Sequence, residues 1–150
     1  IQEENDDQFM LYLNNGINNN DGGPMFNQVY TFSRSYGDIS ASRILAISDY
    51  DGDGDQDVYV GRKYGYNWFF ENQTLTGQSG NVVYHSDPNP FFIEKAVAVG
   101  IADSDVNQIG SMGYGAAWGD YDNDNDFDLY LSNWGINKLF RNDENTFYDV

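Results

Sequence analysis

At 150 residues the chain is long enough to bury one core. Its 12 Tyr and 10 Phe set it apart from disordered sequences, which are poor in aromatics. With 24 acidic against 7 basic residues the formal charge is −17, which argues against nucleic acid and anionic membrane surfaces as partners, because Lys and Arg hold both.

Cysteine is absent, so neither disulfides nor thiolate chemistry can contribute. The longest clean apolar run, AVAVGIA at 96–102, falls far short of the roughly 20 residues that span a membrane as a helix. Taken in chain order, the sequence begins with QEENDDQFM (2–10) and LYLNNGIN (11–18). The Asn- and Gly-rich NNGINNNDGG (14–23) reads as a solvated loop. ILAIS (44–48) reads as a strand, followed by the acidic stretch DYDGDGDQD (49–57), then VYV (58–60) and NWFFEN (67–72) as further short strands. VVYHSDPNP (82–90) is a connector holding the single histidine, His85, which reads as a surface residue. PFFIEKAVAVGIAD (90–103) fits either a strand with a short helix or a long connector. GAAWG (115–119), DYDNDNDFD (120–128), LYL (129–131), NKLFRN (137–142) and TFYDV (146–150) then restate the earlier order.

That restatement is an internal repeat. Asp49 to Val60 matches Asp120 to Leu131 at an offset of 71, and YGYNWFFEN (64–72) matches WGINKLFRN (134–142) at an offset of 70. LYLNNGIN at 11–18 is a third, degraded copy whose acidic loop has lost its alternation. Repetition at a fixed period signals a repeat architecture, and four short strands per copy is the content of a propeller blade.

The aspartates carry the chemistry. Ionised carboxylates crowded around one point repel by several kcal/mol per pair at an effective dielectric near 20, so such a turn calls for a cation. Calcium suits it, being a hard ion that takes 6 to 8 oxygens from carboxylates, carbonyls and water. The first loop offers the side chains of Asp49, Asp51, Asp53 and Asp57 with the carbonyl of Asp55; the second offers Asp120, Asp122, Asp124 and Asp128 with the carbonyl of Asp126. Asp55 and Asp126, at position 7, are expected to turn their side chains to water. Position 6 must bend sharply, which Gly54 does freely and Asn125 does best among other residues. An EF-hand would need a bidentate Glu at position 12 and flanking helices. Position 12 is Val60 or Leu131, and the flanks are β-branched and aromatic. Two bound Ca²⁺ would move the formal charge from −17 to −13.

The pattern D-x-D-x-D-G-x-x-D followed by an apolar strand resembles the calcium loop of FG-GAP/VCBS repeats, as in integrin α-subunit propellers. GAAWGDYDNDNDFDLYLSNWGINKLFRNDENTFYDV (115–150) is especially similar to repeats of the cartilage-acidic-protein, ASPIC/UnbV-associated type. The resemblance covers about two thirds of the chain. It implies an all-β fold of four-stranded antiparallel blades, two to three of them, from a seven-bladed type of propeller in which the loops lie on one rim. A degenerate partial blade would occupy 1–40, a blade with the first loop 41–100, and a blade with the second loop 101–150. Two departures matter: the first copy lacks its loop, and Asn125 stands where the family has Gly, implying one dead site and a weaker second live one. The first residue is Ile and a closed propeller needs several hundred residues, so the sequence reads as part of a larger extracellular protein. The rest of the propeller would lie in the same or a neighbouring chain.

No nucleophile elbow, Cys-His pair or phosphate loop is visible, and the expected role is non-enzymatic. It is that of a calcium-stabilised binding or adhesion module facing a protein or glycan ligand at the cell surface. A propeller scaffold within a secreted carbohydrate-acting enzyme and a subunit of an extracellular filament are the alternatives. Tyr12, Tyr59 and Tyr130, and likewise Phe70 and Phe140, recur at equivalent positions and read as packing between blades. Trp68, Trp118 and Trp134 read as core or rim. Asn72-Gln73-Thr74 is a glycosylation sequon, although a turn-forming role explains Asn72.

Overall fold

A computed structural model describes residues 9–17, 24–32, 42–62, 66–73, 92–103 and 113–150. The chain divides into two compact units, Ile1–Ser40 and Ala41–Val150. In the first, β1 (Phe9–Ile17) and β2 (Pro24–Phe32) pair antiparallel in a two-stranded sheet. β1 runs through Asn14–Ile17, so the start of the expected Asn-rich loop belongs to a strand; the ladder absorbs it with an irregularity between Asn14 and Ile17. The degraded acidic stretch at 2–8 and His85 lie outside the described residues.

The second unit is built from two four-stranded antiparallel sheets, each in simple sequential order. One comprises β3 (Ser42–Ser48), β4 (Asp57–Arg62), β5 (Trp68–Asn72) and β6 (Phe92–Glu94). After it comes a single helical turn, α1 (Ala96–Val99), so the ambiguous 90–103 stretch contains a strand and then a short helix. The other sheet comprises β7 (Gly113–Gly119), β8 (Asp128–Asn133), β9 (Lys138–Asp143) and β10 (Thr146–Asp149). The described residues are thus mostly strand, as an all-β sequence requires.

Repeat and register agree. In the first sheet Ala46, Tyr59 and Phe69 form one cross-strand row, and Ile47, Val58 and Phe70 form the next. In the second sheet the corresponding rows are Ala117, Tyr130, Leu139 and Trp118, Leu129, Phe140. Because successive side chains point to opposite faces, alternate rows build opposite faces of each sheet.

The main core forms where the Tyr59 face of the first sheet meets the Trp118 face of the second. Ile44, Ala46, Tyr59 and Phe69 pack there with Leu129, Leu131, Phe140 and Phe147, with Ala116 and Trp118 against them. The Trp118 ring lies 6.4 Å from Tyr59, 5.9 Å from Phe69 and 5.9 Å from Phe147. Such aromatic contacts add to the burial of apolar area.

The segment after α1 seals this seam. Gly100 ends the helix in the left-handed conformation at φ 97°, and its N–H donates to the Ala96 carbonyl at 3.1 Å. A Cβ on Gly100 would lie 2.6 Å from the Phe147 carbonyl oxygen, so only glycine lets α1 approach β10 this closely. Ile101 is fully buried, the Asn67 amide donates to the Ala102 carbonyl at 2.9 Å, and buried Asp103 pairs with Lys138 at 2.9 Å.

Candidate metal centre

The two acidic stretches are the hairpin connections β3–β4 and β7–β8, closed by the pairs Ser48–Asp57 and Gly119–Asp128. Each strand pair thus delivers its aspartates at one end of its sheet, and the same hydrogen bonds shape both loops. The Gly54 amide donates to Asp49 Oδ2 at 3.1 Å, as the Asn125 amide does to Asp120 Oδ2 at 3.2 Å. The Asp55 amide donates to Asp53 Oδ1 at 2.9 Å, matched by the Asp126 amide to Asp124 Oδ1 at 3.0 Å.

The aspartate at position 9 is a brace. Asp57 accepts the Tyr50 amide at 3.2 Å and the Asn72 amide at 2.8 Å. Asp128 accepts the Tyr121 amide at 2.9 Å and the Asn142 amide at 2.8 Å. Both carboxylates are buried, so each stitches the loop's entry to the third strand of its own sheet. The expected bend at position 6 is present, with φ of 96° at Gly54 and 77° at Asn125. Position 4 bends the same way, at 70° for Gly52 and 63° for Asn123. These are left-handed conformations that Gly and Asn tolerate best.

This folding brings three carboxylates together in each loop. Oxygens of Asp49, Asp51 and Asp57 lie within 4.8 Å of one another, and so do oxygens of Asp120, Asp122 and Asp124. Both acidic triads could hold a metal ion. Asp53 is the sequence-nominated ligand left out of the first triad, and Asp128 the one left out of the second. The second triad is the more exposed.

Asp55 departs from expectation. The residue is buried at 7% exposure, and neither carboxylate oxygen has a hydrogen-bond partner among the described residues. The equivalent Asp126 is only partly buried and its Oδ2 accepts the Glu144 amide at 3.3 Å. Burial, followed by the charges of Asp53, Asp51, Asp49 and Glu71, pushes the Asp55 carboxyl up to about 7. Burial also raises Asp57 to about 7, against the pull of the Asn72 and Tyr50 amides. Asp51 is raised by burial as well. In the second loop Asp122 is raised by desolvation and by Asp124, Asp128 and Asp120, while Arg141 pulls the other way.

Around the first loop, Tyr50 donates its hydroxyl to buried Glu71 at 2.8 Å, and Lys95 pairs with the same carboxylate. The equivalent of Glu71 in the second copy is Arg141, held by Asp143 at 2.7 Å. Neither residue was singled out from sequence, and nor were the two asparagines as braces. Asn72 donates its side-chain amide to the Gln56 carbonyl at 3.2 Å, and Asn142 donates to the Phe127 carbonyl at 3.2 Å. Asn142 also reaches the Tyr50 carbonyl of the first acidic loop at 3.3 Å. Their recurrence at one repeat position was the available signal.

Of the tryptophans, Trp68 is buried, Trp118 lies in the seam and Trp134 is exposed. Among the described residues no helix is long and apolar enough to cross a membrane. No family model and no curated protein matches this sequence.

Proposed function

We propose that the chain is a calcium-stabilised, non-enzymatic binding or adhesion module of the cell exterior. Its two four-stranded sheets are read as blades of an FG-GAP/VCBS-type propeller, each carrying one structural Ca²⁺ in its acidic hairpin loop. Asp49, Asp51, Asp53 and Asp57 with the Asp55 carbonyl would hold one ion. Asp120, Asp122, Asp124 and Asp128 with the Asp126 carbonyl would hold the other.

The observation that carries the reading is the doubling of one device. Two loops 71 positions apart share a hydrogen-bond pattern and each gathers three carboxylates within 4.8 Å. In the first loop, Asp55 adds a buried carboxylate with no hydrogen-bond partner among the described residues. At 4.8 Å, two ionised carboxylates of that loop repel by about 1 kcal/mol in water and about 3 kcal/mol at an effective dielectric near 20. A divalent ion converts that repulsion into attraction, and all the donors are hard oxygens, which select calcium over softer metals. Extracellular modules work with affinities in the millimolar range, where calcium is abundant; this favours a location outside the cell. The ligand of the module would be a protein or glycan at that surface.

The test is thermal melting of the chain in EDTA and in millimolar calcium, with calorimetric titration of the ion. Calcium should raise the melting temperature, and the titration should resolve two sites. Asp51→Asn should remove one and Asp122→Asn the other. Melting curves that coincide with and without calcium would overturn the proposal, as would two sites surviving in both variants.

A further inference from the structure

The two acidic loops share a skeleton but differ in a way that bears on their covalent stability. Position 4 is Gly52 in the first loop and Asn123 in the second, each directly after an aspartate and each left-handed, at φ of 70° and 63°. Position 6 differs in the same sense, with Gly54 after Asp53 and Asn125 after Asp124. The side-chain carboxyl of an aspartate is open to attack by the backbone nitrogen of the next residue. Glycine has no Cβ to shield that nitrogen, whereas asparagine screens it.

Hydrogen bonds separate the two Asp-Gly pairs of the first loop. The Gly54 amide donates to Asp49 Oδ2 at 3.1 Å and Asp53 Oδ1 accepts the Asp55 amide at 2.9 Å, so both halves of the Asp53–Gly54 pair are engaged. At Asp51–Gly52 the hold is weaker. Asp51 Oδ1 accepts the Asp53 amide at 3.3 Å, and the Gly52 amide has no acceptor among the described residues. Gly52 is exposed, and a Cβ built on it would meet nothing within 4 Å, so the surroundings leave room for the pair to rearrange. In the second loop the Asn125 amide is held by Asp120, as Gly54 is by Asp49. The Asn123 amide has no acceptor among the described residues either, so its side chain is what separates it from Gly52. Of the four pairs, only Asp51–Gly52 combines an unshielded nitrogen with an amide that nothing holds.

We propose that Asp51–Gly52 is a site of spontaneous covalent modification, at which Asp51 becomes isoaspartate through a cyclic imide. The Gly52 nitrogen bonds to Asp51 Cγ, and the amide proton and the carboxyl hydroxyl leave together as water. Water then opens the ring at the Asp51 main-chain carbonyl, which becomes the free carboxylate, and Gly52 stays attached through Cγ. No oxidant, reductant or cofactor is consumed and the mass is unchanged. The backbone gains the Asp51 Cβ, and the carboxylate is moved off its place in the loop. Asp51 is one of the ligands assigned to the first ion, so the product loses that site while the second loop is untouched, and an ion held by Asp51 slows the first step. Only these consequences rest on the calcium reading; the modification does not.

The experiment is incubation of the full chain at neutral pH in EDTA and in millimolar calcium. Digestion and fragmentation mass spectrometry then read the linkage at each aspartate, with isoaspartyl methyltransferase labelling as a second measure. Isoaspartate should accumulate at Asp51 and not at Asp53, Asp122 or Asp124, and calcium should slow it. Gly52→Asn, which matches the second loop in the same backbone conformation, should abolish it, and Asn123→Gly should create it at Asp122. Circular dichroism checks the fold of each variant, and if Gly52→Asn does not fold, Asn123→Gly decides. Absence of isoaspartate at Asp51, equal amounts at Asp53 or Asp122 in the wild type, an unchanged level in a folded Gly52→Asn, or none at Asp122 in Asn123→Gly would each overturn the proposal. Equal rates with and without calcium would uphold the modification and count against Asp51 as a ligand.

Discussion

Asn142 is the point at which the second loop, the second sheet and the first loop meet, and replacing it measures how far the two sheets and their loops form one folding unit. Its side chain is fully buried and makes three hydrogen bonds. The amide donates to the Tyr50 carbonyl at 3.3 Å and the Phe127 carbonyl at 3.2 Å, and the side-chain oxygen accepts the Asn145 amide at 2.9 Å. Asn142→Ala leaves all three partners without it. A buried polar group stripped of its partner costs about 1 to 3 kcal/mol. Two of these bonds are long and two sit where water can partly replace them, so the expected loss is about 3 to 4 kcal/mol.

Asn72→Ala at the equivalent position is the internal control. Its side chain donates to the Gln56 carbonyl at an exposed site, so about 1 kcal/mol is expected. In both variants the backbone N–H still reaches Asp57 or Asp128, so the loop brace survives and the difference reports on the side chains alone. Asn142→Asp should be no better than Ala. It keeps the acceptor for Asn145 but sets an oxygen against the two carbonyls. Urea unfolding in saturating calcium gives these values. For a unit of this size about 4 °C of melting temperature accompanies each kcal/mol, so Asn142→Ala should melt about 12 to 16 °C lower. Equal losses at the two positions, or less than about 1 kcal/mol at Asn142, would refute the argument that the second sheet and the first loop are joined there.

Two other outcomes are expected. Without metal, Asp55 and Asp57 hold their protons up to about pH 7, whereas the unfolded chain releases them near 3.8. The folded state therefore binds more protons between those values, and stability must fall as pH rises from about 4 to about 7. Each group could contribute at most about 4 kcal/mol, reduced to about 1 to 2 by solvent and local relaxation. In EDTA the chain should melt higher at pH 5 than at pH 8, calcium should reverse that order, and Asp55→Asn should flatten the EDTA profile; a profile in EDTA that is already flat in the wild type contradicts the reasoning. Trp118→Ala should cost about 2 to 4 kcal/mol because the ring contacts both sheets, while exposed Trp134→Ala should stay within about 0.5 kcal/mol. Equal costs in urea unfolding would show that the seam does not depend on the Trp118 ring.

The strands, the loops and the repeat were legible because each rests on local signals. Short apolar runs, VYV and LYL, mark β4 and β8, and Asp in strict alternation leading into such a run marks the hairpins. The bend at position 6 follows from Gly54 and Asn125. What was not legible depends on which faces meet. Tyr59 and Tyr130 are indistinguishable in sequence, yet one is fully buried and the other 43% exposed, because a neighbouring sheet covers only the first. Asp55 and Asp126 likewise occupy one position, and the prediction that both turn to water fails for Asp55, which is buried. Its charge and the crowding of Asp49, Asp51 and Asp53 around it were visible, whereas its burial and the closeness of Glu71 were not. The braces made by Asn72 and Asn142 were hidden for a related reason, since Asn is also a common turn residue and the bond that distinguishes Asn142 spans 92 positions.

The comparison between copies separates what shapes a loop from what charges it. The skeleton is constant: position 1 accepts from position 6, position 5 accepts from position 7, and position 9 accepts two amides. The surroundings are not constant, because Glu71 is replaced by Arg141 and a buried Asp55 by a partly exposed Asp126. A loop that keeps its hydrogen bonds while its neighbouring charges change sign takes its shape from the bonds common to both copies. Asp57 and Asp128 take part whether or not a cation is bound, since each already satisfies two backbone N–H groups. A cation would then enter a formed loop and relieve its repulsion instead of organising it. It follows that metal removal should lower stability while leaving both hairpins folded, and more so at the first loop, where the carboxylates are less exposed and Asp55 has no hydrogen-bond partner among the described residues.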